Sequence, residues 1–292
     1  MIVNKNWLML KSALFIVIGM FAISCDSEIH KDESKTETAV KDSSVNNETQ
    51  DPTYALPSPL QIAFIFKKSG MSYKMGLTSQ MKDPTNFTCN LSRELNLGVY
   101  SADLSYVLLN KQNQEVITYM KLSRQLSNYL GIGSVYETND FDKRFEKNID
   151  NEDSLTTIIS ELQMEMDFYL SENSQQQITS VAFAGAWIES LHIAAKVYEK
   201  SDGKVLNEKL SEQMSILKSV INSLKVGEKK DPTIAVLIND LQGVQDLYDS
   251  FQSVKSNLKT EGSEEKKIIM TDDEVVVLTK KIEELRTKFI TW

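Results

Sequence analysis

The sequence predicts an all-α fold of about eight antiparallel helices, arranged as a bundle or as a stacked array of helical hairpins. Three observations predict it. Apolar residues recur at helical spacing over long stretches, capping signals stand at the ends of those stretches, and no comparable strand signal is present. No run of alternating apolar and polar residues is bounded by Asn-Gly or Asp-Gly turns, and five prolines and eleven glycines are too few to break 292 residues into short strands.

The expected helices cover residues 58 to 80, 91 to 111, 113 to 131, 152 to 172, 174 to 200, 204 to 226, 232 to 259 and 272 to 290. Beyond Pro59 the pattern is helical almost throughout. Leu155, Ile158, Ile159, Leu162, Met166 and Tyr169 form one apolar stripe on the fourth. Ser174-Gln-Gln-Gln177 has the form of a capping box for the fifth. Leu206, Leu210, Met214, Leu217, Ile221 and Leu224 step by threes and fours along the sixth. Asp231-Pro232 offers a cap and a first-turn proline to the seventh, whose stripe runs Ile234, Leu237, Ile238, Leu241, Val244, Tyr248 and Phe251. Thr271-Asp-Asp-Glu274 is a capping box ahead of Val275, Leu278, Ile282, Leu285 and Phe289. Most connections are short, which sets successive helices antiparallel. The exception is 131 to 150, the longest expected excursion and the most plausible partner-facing loop.

The fifth helix differs from the others, because Val181 to Ile188 leaves it almost no polar face. A helix apolar on all sides belongs at the centre of a fold, so Trp187, Ile188, Leu191 and His192 are expected in the core. Gly185, flanked by alanines, would admit a closely packed partner helix. Gly98-Val-Tyr-Ser-Ala-Asp-Leu-Ser-Tyr106 and Gly185-Ala-Trp-Ile-Glu-Ser-Leu-His192 echo one another: a glycine, an aromatic two residues on, and an acid three residues before a ring. A duplicated helical hairpin would produce this echo; so would helical periodicity alone.

The first residues carry a different signal. Lys5 and Lys11 are followed by an apolar run from Ser12 to Ile23, and Ala22-Ile23-Ser24-Cys25 closes it with small residues and a cysteine. A run of about a dozen apolar residues is short for a bilayer core, which needs about 20. The segment resembles a bacterial lipoprotein signal peptide with its lipobox. The resemblance implies that residues 1 to 24 are removed and that Cys25 becomes the lipid attachment point, bearing diacylglycerol and an N-acyl chain. Taken with an acidic tether and a helical remainder, it is a general likeness to helical lipoproteins of the diderm bacterial envelope. It transfers no functional residue to the helical part. Residues 25 to 57, rich in Ser, Thr, Asn and Glu, cannot bury enough apolar surface to order themselves and are expected to form a disordered acidic tether. A coil of about 32 residues spans roughly 30 Å. Residues 58 to 292 then form the helical domain, lipid-anchored to an envelope membrane and facing the periplasm or the cell surface.

Composition narrows the chemistry. The formal net charge of −9 argues against nucleic acid, whose phosphates such a surface repels. With Cys25 acylated, Cys89 stands alone, so no internal disulfide or Cys-x-x-Cys site can form in the mature monomer. Cys89 is expected as a small buried hydrophobe. Two histidines, His30 and His192, leave at most one imidazole in the folded part. Glu189-x-x-His192 has the spacing of carboxylate-bridged di-metal bundles, but those require a second Glu-x-x-His, and Asp103-x-x-Tyr106 is the nearest analogue. His-Glu-x-x-His, Gly-x-Ser-x-Gly, Gly-x-Gly-x-x-Gly and phosphate-loop patterns are all lacking. The reading is therefore a non-enzymatic binding or structural module with an envelope protein, glycan or small ligand as partner and no cofactor beyond the lipid on Cys25. The alternative is an enzyme or metal-binding bundle with a carboxylate-lined site.

Overall fold

In the computed structural model, residues 56–198, 204–258 and 268–292 are described. They belong to a unit spanning Asp51–Trp292. Cys25, His30 and most of the expected tether lie outside the described residues. The described residues hold helices α1 (Pro59–Lys68), α2 (Asn90–Leu108), α3 (Asn113–Tyr129), α4 (Phe141–Lys147), α5 (Glu152–Glu172), α6 (Gln176–Tyr198), α7 (Lys204–Met214), α8 (Leu217–Glu228), α9 (Ile234–Ser250), α10 (Gln252–Leu258) and α11 (Asp272–Thr291), and no strand. The fold is all-α.

Helix α1 starts where Ser58 and Gln61 form a reciprocal capping box, the Ser58 backbone N–H donating to Gln61 Oε1 at 2.8 Å. It ends twelve residues earlier than the spacing predicts. Gly70 and Gly76 take left-handed φ values of +94° and +78°, and Met71 N–H closes the helix on Phe66 O at 3.1 Å. From there to Cys89 the chain is irregular apart from a 3₁₀ turn at Pro84–Asn86. Side chains from α2 and α3 supply its missing backbone partners. Lys74 N–H donates to Tyr106 Oη at 2.7 Å, Lys82 N–H to Tyr100 Oη at 3.0 Å, and Tyr119 Oη–H to Ser79 O at 2.7 Å.

Two of the predicted helices are each broken in two. Ser215 and Ile216 separate α7 from α8, and extended backbone at Phe251, with ψ 143°, separates α9 from α10. Met214 and Leu217 are both buried, so the apolar stripe runs on across the first break and conceals it. Residues 131 to 150 are no open loop. A 3₁₀ segment at Gly133–Asp140 and α4 bury Val135, Tyr136, Phe141 and Phe145, and Arg144 pairs with Glu161 of α5 at 2.6 Å. With Ile132, also buried, five apolar anchors in twenty residues are enough to pack that excursion down. Ser174 does not cap α6 either, since it takes a left-handed φ of +54° and the helix begins at Gln176. Thr271 and Glu274 do form their capping box at α11.

The core centres on α2 and α6, both buried on nearly every side. Helix α6 is long and apolar enough to cross a bilayer, the one such helix among the described residues, but protein surrounds it. Trp187 and Ile188 are fully buried, with Leu191 and His192 beside them. The two echo segments meet here. A Cβ added at Gly98 would lie 1.7 Å from Ala182 O, and one added at Gly185 would lie 2.2 Å from Leu95 O. Each glycine therefore faces the carbonyl three residues before the other glycine, and the absent side chains let the backbones touch. Further along, Asp103 of α2 approaches Glu189 of α6, so the two helices run the same way from their crossing.

Candidate functional site

Two places concentrate polar or open features. The first is a buried charged cluster at the joint of α2, α6 and α11. Arg286 clamps Glu189 through both carboxylate oxygens, Nε to Oε2 at 2.6 Å and Nη2 to Oε1 at 2.8 Å. Asp103 accepts the backbone N–H of Ser79 at 3.1 Å and its hydroxyl on the same oxygen, Oδ2, while Oδ1 has no partner. Burial, then the nearby Glu189 carboxylate, pushes Asp103 well above the usual carboxylate range. Burial alone would lower Arg286, but the bonds and charge of Glu189 outweigh it and the net displacement is upward.

This cluster settles how the Glu189-x-x-His192 spacing is used. The guanidinium of Arg286 fills the position beside Glu189 that a metal cation would take, and no group of three metal-ligating side chains occurs among the described residues. His192 does not bond to a neighbouring acid or carbonyl as expected of a core histidine. Its Nδ1 is buried without a partner, and burial, helped by the charges of Arg286 and Lys196, pushes its pKa down to about 3. Neutral His192, clamped Glu189 and Asp103 form a structural joint closed to solvent. Cys89 is exposed rather than buried, at the residue preceding α2. Position, not hydrophobicity, decides this, since Leu91 and Leu95 already take the inward face of that helix end.

The second place is a cavity of ≈ 400 Å³ between α1, α2, α3, α5 and α6. Its size lies within the roughly 300–1,000 Å³ range of small-molecule sites. Leu56 and Phe64 form one wall, Leu104 and Met120 the depth, and Met166, Leu170 and Phe183 the other wall. The α2–α6 contact forms part of the floor, because Gly98 and Ala182 both border the space. The capping box at Ser58 fixes the entry of α1 along the rim.

Polar groups are few along this lining and most are occupied. Ser101 Oγ–H donates to Leu97 O at 2.7 Å, and Ser160 Oγ–H to Thr156 O at 2.8 Å. Gln163 Oε1 and Ser123 Oγ are buried with no partner. Tyr136 is pushed up to about 12, chiefly by burial. Asp167 is open to solvent at the rim, though dense protein on its other side raises its pKa by desolvation, partly offset by a hydrogen bond from Thr179. It contributes the only formal charge to the described lining, and no Lys, Arg or His joins it. Met164 of the lining and Phe168 of the same helix are 70% and 64% exposed, so apolar surface continues outward along α5.

None of the lining residues was singled out from sequence for binding. Met166 was expected only as core, and Gln163 and Asp167 look like ordinary polar-face residues of a long helix. The chain as a whole matches no family model, no curated protein and no solved structure.

Proposed function

We propose that this chain is a lipid-anchored envelope protein whose helical domain is a non-enzymatic binding module, with its ligand site in the cavity between α1, α2, α3, α5 and α6. The observation that carries the binding reading is that cavity: about 400 Å³, mostly apolar, with a few convergent polar groups. No histidine or cysteine lines it to serve as base or nucleophile beside its serines, so the described lining suits recognition better than group transfer. The Asp103–Glu189–Arg286 cluster favours no catalytic alternative, because Asp103 and Glu189 are fully buried and both oxygens of Glu189 are taken by Arg286.

The anchor rests on the lipobox-like Ala22-Ile23-Ser24-Cys25. One stably anchored chain end places the domain within reach of membrane-derived ligands, envelope proteins and glycans, and the exposed Met164 and Phe168 widen the apolar surface offered to them. Intact mass and membrane fractionation of wild type and Cys25→Ala test this part. A mass equal to residues 25 to 292 plus acyl chains, with membrane retention lost in the variant, is expected. Unmodified protein that stays soluble in both forms would remove the anchor from the proposal.

A further inference from the structure

The cavity also constrains the chemistry of its ligand. Gln163 and Asp167 stand four residues apart on α5 and therefore share a face. Gln163 borders the space, and its Oε1 is a buried acceptor with no partner, which a ligand head can satisfy once the side chain turns toward the cavity; an acceptor left empty away from water is unfavourable until something donates to it. Asp167 adds a second acceptor and a negative charge one turn further on. Nothing on the described lining offsets that charge, since no cationic side chain faces the space. The remainder is hydrocarbon and thioether. Phe64, Leu104, Leu170 and Phe183 give shape, and the flexible methionines can follow chains of different length.

We propose that the cavity binds a molecule with an alkyl or similarly apolar body and a hydrogen-bond-donating head, cationic in preference to neutral, with the head held by Gln163 and Asp167. This rests on the cavity being a ligand site at all. An alkyl carboxylate is selected against, because its head would lose water beside Asp167 with no cation to receive it. The raised pKa of Asp167 fits an acid whose counter-charge arrives with the ligand.

The test uses the chain from Asp26 to Trp292, which keeps the whole compact unit and carries no acyl group to compete. Decylammonium, decanol and decanoate are each titrated at pH 8, without detergent, against a bound neutral fluorophore, N-phenyl-1-naphthylamine. Decylammonium is expected to displace it at a concentration at least tenfold lower than decanoate, with decanol between. Without Lys5 and Lys11 the tested chain has a formal net charge of −11, which attracts any cation, so the variants decide the matter. Asp167→Asn should bring decylammonium down to the level of decanol and leave decanol unchanged. Gln163→Leu should weaken both. Ser160→Phe, which fills the space beside α5, should abolish binding of the fluorophore itself. Equal displacement by the three compounds, or an ammonium preference that survives Asp167→Asn, overturns the head-group assignment while leaving the site in place. Failure of every compound to bind wild type overturns both the assignment and the ligand-site reading beneath it.

Discussion

Replacing Gly98 by alanine should damage this fold more than any other single methyl group. The added Cβ would lie 1.7 Å from Ala182 O, 2.6 Å from its carbonyl carbon and 2.9 Å from Ala186 N, all of them backbone atoms of α6. A carbon–oxygen contact between helices settles at about 3.3 Å or more, so α2 and α6 must separate by roughly 1.6 Å. A gap of even 0.5–1 Å forfeits about a quarter to a half of each dispersion contact across it. Overpacking of a core costs about 1–3 kcal/mol when neighbours can yield. Here they are two helix backbones, and the loss should reach about 4 kcal/mol, net of the roughly 1 kcal/mol that alanine gains over glycine in a helix. For a domain of this size that lowers Tm by about 8–16 °C. Gly243→Ala is the matched control, because the added Cβ would meet nothing nearer than Lys281 Cε at 3.9 Å. It should raise Tm by about 2–4 °C through helix propensity alone. Thermal unfolding followed by far-ultraviolet circular dichroism measures both. Equal shifts in the two variants would refute the backbone-contact argument.

Three further outcomes follow from the buried charges and the cavity. Glu94 is almost wholly buried, its Oε2 has no partner, and burial followed by repulsion from Asp231 pushes its pKa up to about 7 from 4.5. The folded chain therefore holds this proton more tightly than the unfolded one, and the associated stability is fully present below about pH 4.5 and lost as pH rises through 7. The difference corresponds to about 3 kcal/mol, so Glu94→Gln should match wild type at pH 4 and exceed it by up to about that amount at pH 8 in urea unfolding. His192, pushed down to about 3, acts in the opposite sense, losing stability on acidification below pH 6.5, which is why the variant-minus-wild-type difference is the quantity to follow. Arg286→Met leaves Glu189 and Asp103 buried without a counter-charge and should cost about 3–5 kcal/mol, much of it recovered in Glu189→Met/Arg286→Leu, as chemical denaturation would show. Ser160→Phe should leave Tm within about 3 °C of wild type while abolishing fluorophore binding, because the half-buried Ser160 borders open space and its hydroxyl bonds only to the helix carbonyl of Thr156.

The helical character and much of the element order were legible from sequence, because α5, α8, α9 and α11 each commit one face to the core and repeat it every three or four residues. The central place of α6 was legible for the opposite reason, the lack of any polar face. What escaped the sequence is what depends on distant partners. Residues 70 to 89 leave helical geometry at Gly70 and Gly76, and their backbone groups are satisfied by Tyr100, Tyr106 and Tyr119 from two later helices. Arg286 reaches Glu189 from 97 residues away, and nothing near either residue announces the pair. The glycine–aromatic–acid echo was visible, but its meaning was not: each glycine makes room for the other helix. The cavity has no local signature, since its walls come from five α-helices and a 3₁₀ segment and its two head-group candidates resemble solvated residues of α5.

The ligand site in the cavity is tested most directly by amide hydrogen exchange of the Asp26–Trp292 chain with and without saturating decylammonium. Occupancy should slow exchange in residues 56 to 64 and in the segments 159 to 170 and 178 to 183, and leave α9 unchanged. Protection that falls elsewhere, or none at a concentration that displaces the fluorophore, would contradict the placement of the ligand site and with it the functional reading of the fold.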